Sequence, residues 1–290
     1  MERSSPRCEG AVAVAPADAR PGSDAVVELT DVTYAYSNGF EAIKDLSLTI
    51  ARGTVTSIVG PSGCGKTTVL KLISGLDRPS AGRIETDFVA GDTAQPVSMV
   101  FQQDTLLPWL RVKDNVALYY RFHPKRLPKA ELKERVTELL AMVGLEKFAE
   151  AYPAQLSGGM RRRVAFLAGV APQPELLLLD EPFSAVDEPT RIQIHQQVKE
   201  TIARLGMTVV LVTHDLAEAI SLSDNVVILT AGPGRVAHVH PIELDRTRPL
   251  LQLRETPEYL QCYGQLWSRL SHQINLATFG RAEVGTADLP

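Results

Sequence analysis

From Val26 onward, short apolar runs divided by turn-forming residues predict strands over residues 26–29, 46–50 and 54–59, with a turn at Ser37-Asn38-Gly39. These runs predict an antiparallel β layer near the N-terminus. The third run enters a glycine-rich segment, and residues 67–74 beyond it predict a helix ending at Gly75. Between about 103 and 170 the pattern turns helical. There Leu132, Val136, Leu139, Leu140 and Val143 recur at the spacing of one buried helix face, and Gly144 stops the helix. Residues 176–180 and 209–213 are uninterrupted apolar runs, as in parallel strands covered on both faces. Past residue 251, Leu251, Leu253, Tyr259, Leu260, Trp267 and Leu270 are mixed with charges and predict one short amphipathic helix packed on the body. The first 24 residues, rich in Ala, Pro, Ser, Gly and charge, predict a disordered lead. The expected organisation is therefore an α/β domain over 25–245, with a mostly parallel sheet, an N-terminal antiparallel layer and a helical insertion at about 103–170, followed by a tail over 246–290.

With 290 residues, 44% of them hydrophobic, the chain can bury a substantial core. Its net charge of -4 disfavours a dedicated nucleic-acid binder, which needs clustered Lys and Arg. The apolar runs fall far short of the roughly 20 residues that cross a bilayer. The weak apolar stretch at 11–15 is too short for a signal sequence, so export is not expected. Cys8, Cys64 and Cys262 lack metal-ligand spacing and leave one thiol unpaired in any disulfide scheme, which fits a reducing cytoplasm.

The segment Gly60-Pro61-Ser62-Gly63-Cys64-Gly65-Lys66-Thr67 matches G-x-x-x-x-G-K-[ST], between a predicted strand and a predicted helix. This is a P-loop. The glycines let backbone N–H groups turn toward phosphate oxygens, and the helix N-terminus adds its positive dipole end. Lys66 neutralises β/γ charge, and the Thr67 hydroxyl is placed to ligate Mg²⁺. The candidate nucleotide set is this octet plus Thr68. Cys64 lies inside the loop, where dipole and Lys66 are expected to lower its thiol pKa. Asp180 and Glu181 follow the apolar run 176–179, which puts carboxylates at the edge where open α/β sheets bind ligands. Asp180 is a candidate for Mg²⁺ and Glu181 for polarising the attacking water.

Leu156-Ser157-Gly158-Gly159-Met160 resembles the signature of ATP-binding cassette (ABC) proteins. Other segments resemble that family in order. Tyr36 sits where the family stacks an aromatic ring on adenine, with Tyr34 as a competitor. Gln102, after Met99-Val100-Phe101, matches the glutamine that senses Mg²⁺ and the membrane partner. Ser184-Ala185-Val186-Asp187 resembles the D-loop, and His214 in Val212-Thr213-His214-Asp215 the switch histidine. The resemblance covers about 26–245. It implies a head-to-tail dimer in which ATP on Lys66 of one subunit is capped by Ser157, Gly158 and Gly159 of the other, with Asp187 nearby. It also implies Glu181 as base, with His214 and Gln102 completing the catalytic set. Arg162 stands where glutamine is common and Val186 where leucine is, and neither change removes a phosphate-contacting group.

The apolar run from Phe101 to Leu110 is expected either to dock a transmembrane permease or to belong to the core through Leu106, Leu107 and Trp109. Leu-Leu-Pro-Trp, Asp114-Asn115-Val116 and Ala231-Gly232-Pro233-Gly234-Arg235 resemble the nitrate/sulfonate/taurine importers. That resemblance implies an ATPase at the cytoplasmic face of the inner membrane, peripheral, serving a permease and, indirectly, a solute-binding protein. A cassette coupled to lipid or another solute stays open, as does heterodimerisation. Soluble cassettes of DNA repair or translation carry tandem cassettes, coiled-coil inserts or basic extensions, and this chain has one cassette and an acidic balance.

Overall fold

A computed structural model describes residues 24–88, 96–103, 105–123, 127–184 and 187–279. The expected lead, with Cys8, and Asp104, Ala185 and Val186 lie outside them. Strand β1 (Ala25–Ala35) pairs antiparallel with β2 (Glu41–Ala51) across the turn at 37–39, where Gly39 takes φ +84°. β3 (Val55–Val59) leads into the P-loop and helix α1 (Lys66–Ile73), and β4 (Ala81–Thr86) adds to β1 on its other side. The antiparallel layer thus has the order β2-β1-β4.

Next come β5 (Val97–Val100), α2 (Val112–Val116), α3 (Leu118–Phe122), α4 (Lys129–Met142) and α5 (Gly158–Val170). On α4, Val136, Leu139 and Leu140 are buried as the spacing demands, and Gly144 follows with φ +67°. Then run β6 (Leu176–Asp180), α6 (Glu188–Leu205), β7 (Thr208–Val212), α7 (Leu216–Leu222), β8 (Asn225–Leu229) and β9 (Val236–Pro241). Six strands form one sheet in the order β5-β6-β7-β3-β8-β9, parallel except for the β8–β9 pair.

Side chains alternate across a strand, and here the alternation divides two cores. Leu177, Leu179, Val209 and Leu211 face a cluster with α4, α5 and α6. Leu176, Leu178, Val210 and Val212 face the antiparallel layer and α1. The sheet is therefore a partition, and its carboxyl edge is where loops from both sides meet.

The tail departs from expectation. It holds α8 (Leu250–Arg254) and α9 (Pro257–Phe279), the latter 23 residues long. Leu253, Tyr259 and Leu270 are buried with Cys262 and Leu266, whereas Leu251, Leu260 and Trp267 are exposed. An apolar pattern identifies a helix, but which side meets the body depends on partners distant in sequence, here Val226 and Ile228 of β8 and Ala219 and Ile220 of α7. Leu266→Ala is expected to cost about 2–5 kcal/mol, and Leu260→Ala less than about 0.5 kcal/mol. Thermal unfolding of both variants checks this; equal losses would mean that α9 is not docked by the face described.

Candidate active site

The P-loop wraps the start of α1. Gly63 and Gly65 take φ +74° and +93°, and a Cβ on Gly65 would fall 2.5 Å from Ile43 Cδ1. L side chains rarely adopt that backbone, and at Gly65 the close approach of Ile43 adds a clash. Lys66 Nζ donates to the carbonyls of Gly60 at 2.9 Å and Pro61 at 3.0 Å, which holds the ammonium over the loop. Gly234 explains part of the 231–235 motif, because a Cβ there would stand 2.2 Å from the Cys64 carbonyl. The chain after β8 is thus packed directly on the P-loop backbone. The expected low thiol pKa of Cys64 is overturned. The residue is 1% exposed, and burial pushes its thiol up against the opposing pull of Lys66.

Thr67 Oγ1 donates to Asp180 Oδ1 at 3.0 Å, joining the P-loop to the end of β6. Burial raises the Asp180 carboxyl above its ordinary value, the Thr67 hydrogen bond pulls it back, and Glu181 adds to the rise. The pair fits Mg²⁺, which takes one or two carboxylates beside substrate phosphates and keeps several waters. A dication would also reverse the electrostatic penalty on Asp180. Glu181 adopts φ +44°, a left-handed backbone costing on the order of 1–3 kcal/mol. Its Oε2 accepts from Gln102 Nε2 at 2.9 Å and lies 3.2 Å from His214 Nδ1. The structure thus brings together Gln102, Glu181 and His214, drawn from the ends of β5, β6 and β7.

A cavity of about 390 Å³ beside Lys66 and Thr67 is bounded by Tyr36, Phe40, Thr68 and Glu181. Between the two tyrosine candidates, Tyr36 lines it, and its hydroxyl meets Thr68 Oγ1 at 2.8 Å. Tyr34 is packed edge-on behind Tyr36 and against the core. Sequence reasoning missed Phe40, whose ring lies 6.4 Å from that of Tyr36 with planes 20° apart. The available signal was the turn at 37–39, which makes its flanking residues neighbours.

Ser157, Gly158 and Gly159 do not line this cavity. They open α5, with Ser157 Oγ capping the helix by accepting from Met160 N at 3.3 Å, and Arg162 lies further along it. Asp187 caps α6; its side chain accepts from Thr190 N at 3.2 Å, and the hydrogen bonding with Thr190 holds its carboxyl below the usual range. The apolar run after Gln102 divides in two. Leu106 packs on the core, while Trp109 is 69% exposed. Buried Asn115 holds this bend by accepting from Leu107 N at 2.8 Å and donating to the carbonyls of Leu107, Leu110 and Arg111.

The raised pKa of Asp180 carries a sign. The fold favours the protonated form, so stability present below the unfolded value, about pH 4, is lost as pH rises through the folded value. Asp180→Asn is therefore expected to raise the melting temperature at pH 7 in chelator, with the gain fading toward pH 4. A melting temperature below wild type at pH 7 would contradict this.

A comparison with protein families matches the ABC transporter family over residues 43–184. The aliphatic sulfonates import ATP-binding protein SsuB 1 of Xanthomonas axonopodis pv. citri is 44% identical over 211 residues, covering 72% of this chain and 82% of that protein. The nitrate import ATP-binding protein NrtC of Synechocystis is 39% identical over 234 residues, 80% of this chain and 35% of that protein, so this chain spans about a third of its length. Among solved structures, the dimeric post-hydrolysis ATP-binding cassette MJ0796 bound to ADP and Pi aligns with a TM-score of 0.66 and 34% identity, over 75% of this chain and 99% of that one. The P-loop, the paired carboxylates and similarity along most of the sulfonate protein's length agree, and the chain belongs to the ABC transporter family.

Proposed function

We propose that the protein is the ATP-hydrolysing subunit of an importer for a small anion such as nitrate, a sulfonate or taurine. The observation that carries hydrolysis is the meeting of Gln102 and His214 on one carboxylate oxygen of Glu181, beside the Thr67–Asp180 pair. P-loop N–H groups and Lys66 grip the β- and γ-phosphates, and Tyr36 and Phe40 hold the adenine. Thr67 and Asp180 hold Mg²⁺, with Gln102 reaching it through its amide oxygen. Held there by Thr67, Asp180 and Gln102, the ion would supply positive charge to offset that of the phosphates. Glu181 polarises the attacking water, and His214 contacts the γ-phosphate while orienting Glu181.

Ser157, Gly158, Gly159 and Asp187 serve the nucleotide of a second cassette in a head-to-tail dimer. Their absence from this chain's own cavity supports that reading, as does the dimeric form of the MJ0796 cassette. The exposed Trp109, on a bend held by Asn115, and the exposed Phe101 just after β5 supply the surface for a permease. Among the described residues no helix is long and apolar enough to cross a membrane. The importer names of the relatives support placing the work at the cytoplasmic face of the membrane, with a solute-binding protein acting through the permease and no nucleic acid involved. The anion is inferred from the names of the sulfonate and nitrate relatives.

The test is turnover and assembly of purified variants. Glu181→Gln is expected to lose about 10²-fold or more in ATP hydrolysis yet elute as a dimer with ATP, and Lys66→Ala to lose ATP affinity. A Glu181→Gln protein that hydrolyses ATP at the wild-type rate would sink the base assignment.

A further inference from the structure

Beneath the catalytic surface lies a buried polar chain for which the hydrolysis scheme has no task. His195, about two turns into α6, is 0% exposed, and its Nε2 stands 3.1 Å from Glu218 Oε1 on α7. Glu218 is 3% exposed, and its other oxygen accepts a hydrogen bond from the Thr213 hydroxyl. Thr213 Oγ1 in turn accepts from Asp215 N at 3.0 Å. Thr213 and Asp215 are the two neighbours of His214 in the chain. On its other side the His195 ring meets Phe183 edge-on, with centroids 5.3 Å apart, and Phe183 closely follows Glu181.

Burying ionisable side chains is costly, and apolar residues of like volume often replace such pairs without loss of stability. Packing alone therefore does not account for the pair. Its hydrogen bonds do have a definite geometric result. Nδ1 of His195 is buried without a partner among the described residues, which places the ring proton on Nε2, facing Glu218. Glu218, with one oxygen on His195 and the other on Thr213, then ties the turn carrying His214 to the interior of α6. The same helix begins at Asp187, the residue assigned to the second cassette's nucleotide.

We propose that His195 is a positioning residue for hydrolysis: through Glu218 and Thr213 it fixes the turn that aims His214 at Glu181, and it links that turn to the helix capped by Asp187. The inference rests on the reading of Glu181 and His214 as hydrolytic residues. It predicts that a donor at the Nε2 position matters, rather than an imidazole as such.

The test uses the full chain with ATP and Mg²⁺. His195→Leu keeps the volume and removes the donor. It is expected to lower kcat about 10–100-fold, the range for partners that orient catalytic groups, with KM and ATP affinity changed less than about twofold. His195→Gln, whose side-chain amide donates from a similar position, is expected to recover kcat to within about threefold of wild type. His195→Asn, polar but too short, should behave like His195→Leu and stands in for it if that variant does not fold. In a His214→Ala background, His195→Leu should cost little more, since the group it aims is gone. Wild-type kcat in His195→Leu, equal losses in the Leu and Gln variants, or an undiminished cost beside His214→Ala would each overturn the proposal. If His214→Ala itself turns over normally, the assignment of His214 fails instead, and the two failures are told apart.

Discussion

Parallel pairing of β3 and β6 on either side of β7 is the constraint on which the site depends. Ile58 and Asp180 both pair with Val212, so three strands end on one level. Beyond that row the chain runs to Gly60 from β3, to Glu181 from β6 and to His214 from β7. A slip of one residue in any pairing would turn every side chain of that strand to the other face. Asp180 would then leave Thr67, and the apolar residues that divide the two cores would exchange sides. One set of backbone hydrogen bonds thus sets both the burial pattern and the meeting of the candidate site residues.

What could be read beforehand follows from range along the chain. The P-loop, Asp180 with Glu181, and the segment at Ser157 are local patterns whose backbone demands are written in adjacent residues, and the fold class came with them. Phe40 was missed because its importance arises across the turn, from Tyr36. The Cys64 thiol was misjudged because helix dipole and Lys66 are visible in sequence, whereas burial at that point is not. The tail pattern predicts one short helix where the structure has α8 and the longer α9, because apolar spacing does not tell which apolar residues, such as Leu260 and Trp267, stay in water. His195 gave no warning: a lone histidine on a helix says nothing until Glu218, from another helix, is found against it.

The site is held under tension in two places. Glu181 keeps a left-handed backbone, and Asp180 keeps a carboxyl that burial disfavours. Both are residues to which chemistry is assigned, as expected where strain and shifted ionisation are tolerated for function. The surroundings supply the rigidity: Gly234 packed on the P-loop backbone, Thr67 on Asp180, and the buried chain from His195 to Thr213.

Among the described residues, β5 stands at the edge of its sheet, with β6 as its one strand neighbour. Against its inner side Gly169 of α5 comes so near that a Cβ would lie 2.5 Å from Val100. The strand is therefore clamped along one margin and from below, and the chain leaving it carries first Gln102 and then the exposed Trp109. Between the two, Leu106 is fixed on the core and Asn115 holds the bend at Leu107 and Leu110, so the exposed Trp109 stands on an anchored segment. Just past the end of the strand, Gln102 Nε2 donates to Glu181 Oε2. A short, anchored stretch of chain thus separates an exposed indole from the amide that meets Glu181.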